Sequence, residues 1–126
     1  MKILKILVLI ISLIPFVSYS QNNCKKYFRG KWKYKDAPKD SLYVFRTFEK
    51  QREYTKNGKY HYDFKIRWLT DCEYELTYVG TTSPHPAVIK IGETLNIKII
   101  KIDNVQMTYK TVFRDLQEEA EMERVE

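Results

Sequence analysis

From Tyr60 to Trp68 the chain alternates without a break: Tyr60, Tyr62, Phe64, Ile66 and Trp68 fall on one parity, and His61, Asp63, Lys65 and Arg67 on the other. A period of two suits a pleated strand with one buried face and cannot be laid on a helix, whose apolar stripe recurs every three to four residues. The next segment obeys the same rule, with Cys72, Tyr74, Leu76 and Tyr78 opposed to Glu73, Glu75 and Thr77. Upstream, Tyr54 leads into Thr55-Lys56-Asn57-Gly58. Asn-Gly accepts positive φ, so a hairpin is expected there and a strand should end near Thr55. Leu42 to Phe48 reads as a further strand, which either runs on through Glu49 to Tyr54 or turns at Lys50.

Downstream, Leu95, Ile97 and Ile99 alternate with Asn96 and Lys98, and then Ile100 and Ile102 switch parity. One extra residue near Ile99-Ile100, a β-bulge, accounts for the switch. Asp103-Asn104 reads as a two-residue turn, with Val105, Met107 and Tyr109 on the returning strand. The longest expected loop, Gly80 to Gly92, is long enough to cross an open end of the sheet. The outermost segments decide whether the sheet closes. In Tyr27 to Lys35, Phe28, Gly30, Trp32 and Tyr34 share one face, and Lys31, Lys33 and Lys35 the other. In Leu116 to Val125, Leu116, Ala120 and Met122 oppose Glu119, Glu121 and Glu123. Facing strands of opposite charge gain about 0.2 to 1 kcal/mol per pair, so pairing first with last matches three lysines to three glutamates and leaves no edge. A C-terminal helix is the alternative, but it would set Glu119 and Glu123 four residues apart as like charges. The expectation is an all-β chain, a single small meander barrel of about eight strands, with a C-terminal helix as the variant of its last element.

The N-terminus reads as an export signal. Lys2 and Lys5 precede an apolar run from Ile6 to Val17, followed by Ser18-Tyr19-Ser20. This pattern of basic, apolar and small residues predicts a signal peptide over 1–20 and a single domain over 21–126. The run is too short to span a bilayer, which takes about 20 apolar residues. Removing two lysines and no acids lowers the formal net charge from +6 to +4. The expected location is periplasmic or secreted, where the protein meets no nucleic acid and touches a membrane only through the uncleaved signal. In an oxidising compartment the two cysteines, Cys24 and Cys72, should form a disulfide. Closing a loop of about 50 residues contributes about 4 kcal/mol in the chain-entropy model.

Two resemblances come from short motifs. Gly30-Lys31-Trp32 on the first strand of a barrel resembles the Gly-x-Trp signature of lipocalins and their calycin relatives, and that likeness implies that Arg124 packs over Trp32. The stretch Trp68-Leu69-Thr70-Asp71-Cys72-Glu73-Tyr74-Glu75-Leu76, with Phe45-Arg46-Thr47 and Gly92, is similar to a family of small exported bacterial proteins. Some members of that family carry a DNA topoisomerase IV label. A chain of 126 residues has room for neither an ATPase nor a DNA-cleavage domain.

Catalytic chemistry has little to start from. His61 and His85 are 24 residues apart with no ligand spacing, so neither a metal site nor a cofactor is expected. Glu73 and Glu75 share an outward face and read as solvating charges rather than an acid–base pair. No phosphate loop, nucleophile elbow or Cys–His dyad is present. The expectation is therefore a non-enzymatic monomer that holds a small apolar or amphipathic ligand against an inner face containing Trp32, Tyr62, Phe64, Trp68 and Tyr74. The alternative is a structural or protein-interaction module of the envelope in which these rings fill the core and hold no ligand.

Overall fold

Strict alternation puts every second side chain on one face, and a sheet with one apolar face satisfies both burial and hydrogen bonding by curling until its outer strands meet. The computed structural model describes residues 24–35, 41–55, 58–85 and 87–125. The expected signal peptide, Asn57 and Pro86 lie outside the described residues. A short helix α1 (Cys24–Phe28) precedes eight strands: β1 (Gly30–Tyr34), β2 (Ser41–Arg46), β3 (Lys50–Thr55), β4 (Tyr60–Thr70), β5 (Glu73–Thr81), β6 (Thr94–Ile102), β7 (Gln106–Phe113) and β8 (Leu116–Arg124). They form a closed antiparallel barrel in sequence order, with β1 hydrogen-bonded to β8. The C-terminal segment is thus a strand, not a helix.

Closure uses the expected charges in part. Lys33 stands opposite Glu123, and Lys35 Nζ lies 3.0 Å from Glu121 Oε2. Lys31 goes elsewhere: its ammonium sits 3.9 Å from the centroid of the Tyr43 ring, a cation–π contact on the outer face. The expected bulge appears as a register shift between Ile99 and Lys101. A second shift, between Asp63 and Phe64 on β4, places Gly80 beside Asp63 but Tyr78 beside Phe64.

Several expected boundaries move. The stretch Tyr27–Lys35 is not one strand, because Cys24–Phe28 is helical and Gly30, at φ 120°, redirects the chain into β1. Only glycine takes that backbone conformation without strain, and the turn carries Phe28 across the end of the barrel. There Phe28 is fully buried, its ring 4.7 Å from Trp68 and 4.9 Å from Tyr74, both edge-on. β2 stops at Arg46, since the Thr47 hydroxyl accepts hydrogen bonds from Glu49 N and Lys50 N and so forms a turn. The turn after β6 is longer than two residues. Asp103 Oδ1 accepts from both Val105 N and Gln106 N, leaving Val105 exposed ahead of β7. β5 continues through Thr81, which shortens the long loop at its start. Leu116, expected on the inner face, is exposed at the tip of the β7–β8 hairpin.

Cys24 and Cys72 are bonded, with Cα atoms 5.1 Å apart across 48 residues of sequence. The bond joins α1 to the β4–β5 turn rather than strand to strand. One end of the barrel is therefore stapled shut by α1, and the hairpins at the β2–β3, β4–β5 and β6–β7 turns surround it. No helix among the described residues is long and apolar enough to cross a membrane.

Candidate functional site

The inner face divides into two layers. Next to α1, Phe28, Trp32, Tyr74, Met107 and Met122 are all at most 1 % exposed. Above them lies a cavity of about 290 Å³, and its floor and walls hold more polar groups than the alternation pattern suggested. Arg46 from the end of β2, Gln51 and Glu53 from β3, Tyr34 from β1, Tyr74 from β5 and Tyr109 from β7 converge there. Phe64, Leu76, Leu95 and Ile97 supply the apolar wall, and Thr111 and Glu118, near the β7–β8 hairpin, lie toward the open end.

Arg46 is the central feature of this floor. It is 4 % exposed, and its guanidinium stacks 4.8 Å from the centroid of Phe28, on the closing helix. Its Nε donates to Gln51 Oε1 at 3.1 Å. A side-chain hydrogen bond also joins it to Tyr74, and its terminal nitrogens meet thioethers: Nη2 is 3.1 Å from Met122 Sδ and Nη1 is 3.9 Å from Met107 Sδ. Sulfur is a weak acceptor. Among the described residues no carboxylate oxygen lies within ion-pair distance of Arg46. A buried cation with such partners costs several kcal/mol relative to a solvated or paired one.

The nearest acid of the floor, Glu53, is directed to a tyrosine. Tyr34 donates its hydroxyl to Glu53 Oε1, and Gln51 Nε2 lies 3.5 Å from the same oxygen. Burial is the main influence on this carboxyl and pushes its pKa upward, against the opposing pulls of the Tyr34 hydrogen bond and the Arg46 charge. Burial likewise raises the phenols of Tyr34, Tyr74 and Tyr109, which therefore remain protonated donors at neutral pH.

Of the five inner-face residues expected to meet a ligand, Phe64 and Tyr74 line the cavity. Trp32 lies beneath it, donating from Nε1 to Phe28 O at 2.9 Å. Trp68 belongs to the closed end, where its Nε1 donates to Phe48 O at 3.0 Å. Tyr62 packs against the core farther along β4. Gly30 forms the junction already described. Arg124 lies with its guanidinium 4.5 Å from the Trp32 centroid and donates to Asn104 O, Arg29 O and Tyr27 O, which ties the β6–β7 turn and the α1–β1 junction to the end of β8.

Arg46, Gln51, Glu53 and Tyr109 were missed. A signal for Arg46 existed, since it shares parity with Val44 while the flanking Tyr43 and Phe45 take the opposite one. The polarity of β2 is inverted, with Phe45 44 % exposed and Arg46 buried.

Outside the lumen, His61 Nδ1 lies 3.2 Å from Asp63 Oδ1, and Asp63 also pairs with Arg52 at 2.7 Å. Glu75 pairs with Arg67 at 3.3 Å, while Glu73 stands opposite Lys98 on the same outer face. Among the described residues no group of three or more His, Cys, Asp or Glu side chains is arranged to hold a metal ion. In comparisons with known proteins, no protein-family model, no curated protein and no solved structure matches this chain.

Proposed function

We propose that this is an exported, non-catalytic binding protein that holds a small amphipathic molecule in the lumen of a calycin-like barrel. The observation that carries the reading is the cavity itself. An eight-stranded barrel has interior enough either for its own side chains to fill or for one small ligand, and here about 290 Å³ stays open above a close-packed floor. Its lining combines an aliphatic and aromatic wall with a few convergent polar groups, the composition typical of small-molecule sites. The Cys24–Cys72 bond supports a location in an oxidising compartment, and the sequence of the first twenty residues supports export. The Trp32–Arg124 stack supports the calycin likeness.

Native mass spectrometry of the protein isolated from the envelope of its own source tests this. The expected result is a bound small molecule that leaves when the chain unfolds. A mass equal to that of the bare oxidised chain, with no ligand from a metabolite extract raising the melting temperature, refutes it.

A second reading has its own observation. Val88, Ile91 and Leu116 are 82 %, 74 % and 69 % exposed, and all three lie on the long β5–β6 loop or the β7–β8 hairpin. Arg114 links those two segments by pairing with Glu93 at 2.8 Å and donating to Val88 O at 3.4 Å. Apolar side chains gathered at one end of a barrel favour a protein-interaction module. Co-purification of another envelope protein, lost on Val88→Ser and Ile91→Ser substitution, would support that reading over the first.

A further inference from the structure

We propose that the lumen takes a compact organic acid, a ring-sized molecule whose oxyanion docks on Arg46 and whose other polar groups meet the surrounding tyrosines. The inference rests on the lumenal-binding reading and specifies the chemistry of its ligand.

The first ground is the state of Arg46. A guanidinium has five N–H donors in a planar fork matched to a carboxylate or similar oxyanion. Here Nε has an amide oxygen in Gln51, a further side-chain hydrogen bond joins the guanidinium to the Tyr74 hydroxyl, and the terminal nitrogens face the sulfur atoms of Met107 and Met122, so each of these partners is neutral. Such a group, 4 % exposed and bordering a cavity, gains more from an incoming oxyanion than from any partner the described residues supply. A neutral acceptor would supply hydrogen bonds without the opposite charge, and a cationic guest would supply neither.

The second ground is size. At about 290 Å³ the space falls at the bottom of the range for small-molecule sites, roughly 300 to 1,000 Å³. It suits a substituted ring better than an extended acyl chain. Phe64 and Leu76 offer faces for such a ring, while the hydroxyls of Tyr34, Tyr74 and Tyr109 point the preference toward a ring that carries hydrogen-bonding substituents.

Charge balance adds a condition. Around Arg46 the lumen presents Glu53 from β3 and Glu118 from β8, with the neutral phenols of Tyr34, Tyr74 and Tyr109 from β1, β5 and β7. An oxyanion on Arg46 would bring a second negative charge near Glu53 if that carboxyl were ionised. Binding should therefore favour protonated Glu53, and burial already moves the group in that direction.

The test is titration calorimetry of the oxidised chain at neutral pH with para-hydroxybenzoate, its methyl ester, tyramine and palmitate. Para-hydroxybenzoate should bind, and the ester, without the charge, should bind about tenfold more weakly or worse. Arg46→Met should abolish the preference for acid over ester while keeping ester binding. Glu53→Gln, which removes the neighbouring carboxylate but keeps a hydrogen-bonding amide, should tighten the acid relative to the ester. Equal or better binding of the ester or tyramine overturns the oxyanion assignment but leaves the lumen a binding site. Palmitate as the tightest guest overturns the size argument alone. Failure of all four probes, para-hydroxybenzoate included, overturns this assignment. If metabolite extract also fails to raise the melting temperature, the binding reading falls with it.

Discussion

Trp32 and Arg124 should be energetically coupled, because one guanidinium performs two tasks there. They are cross-strand partners between β1 and β8, and the cation lies 4.5 Å from the indole centroid. The same side chain donates to three carbonyls, on Tyr27, Arg29 and Asn104. Truncating Arg124 to Met removes all three bonds and the stack. A hydrogen bond from a charged donor is worth about 1.5 to 3 kcal/mol when its partner is left dry. Two of these bonds are solvent-exposed and the third is part-buried, so the carbonyls can rehydrate, and the three together are set at about 3 kcal/mol. Trp32→Leu removes the ring but keeps part of its volume and forfeits the bond to Phe28 O, for about 3 kcal/mol, the lower end of core aromatic truncations. The cation–π term, about 0.5 to 2 kcal/mol, is lost in either single variant and cannot be lost twice. The double variant should therefore be less destabilised than the sum by that amount. The assay is urea unfolding of the oxidised wild type, both single variants and the double variant, with the coupling read from the four midpoints at constant m-value. Additivity within about 0.5 kcal/mol would mean that the indole and guanidinium are neighbours without interaction, and the pairing of β1 with β8 would owe nothing to their stack.

Four other outcomes are expected. Cys24→Ser with Cys72→Ser should destabilise the protein by about 4 kcal/mol in the chain-entropy model for a 48-residue separation, measured as a shift in urea midpoint; a shift under about 1 kcal/mol would show that α1 holds its place by packing alone. Glu53 has a carboxyl pKa raised above its ordinary 4.5, so its burden on stability is absent below that pH and grows as pH rises through the raised value. Glu53→Gln should accordingly gain stability over wild type from acid toward neutral pH, and a gap that narrows with rising pH would contradict the assignment. Glu93 behaves oppositely: Arg114 holds its carboxyl down to about 2, so its contribution is present above about pH 4.5 and disappears as pH falls toward 2. Glu93→Gln should flatten that acid limb of the melting-temperature curve. Finally, Asp103→Ala should loosen the β6–β7 turn by freeing Val105 N and Gln106 N, seen as faster amide exchange at those two residues with little change elsewhere.

What could be read in advance follows from which signals are local. The strands of Tyr60 to Tyr78 were legible because each residue's neighbours two positions away repeat its character, and the sheet requires nothing else. Closure was legible because Lys33, Lys35, Glu121 and Glu123 carry complementary charge on elements at opposite ends of the chain. The helix at Cys24–Phe28 was not, since five residues have no period to display and its placement comes from a disulfide and a glycine at φ 120°. The cavity floor was hidden for a different reason. Arg46 and Glu53 are charges on inward positions, and hydrophobic patterning assigns charge outward. Only the register of β2 against β3, which pairs Arg46 with Gln51, brings the floor into one layer.

The order of strands around the barrel also bears on how the chain reaches this state. Seven of its eight pairings join consecutive strands, and such hairpins close over short stretches of sequence and form early. The eighth, β1 with β8, joins Trp32 to Arg124 across nearly the whole described chain. A bond between Cys24 and Cys72 offers a shorter route, from Trp32 back to Cys24, across the bridge and forward from Cys72 to Arg124. Loop-closure entropy varies only with the logarithm of length, so this shortcut is worth roughly 0.4 kcal/mol, about a twofold change in rate. Closure should thus be the slow step of folding with or without the bridge. Oxidation should act far more on how slowly the finished barrel opens than on how quickly it forms.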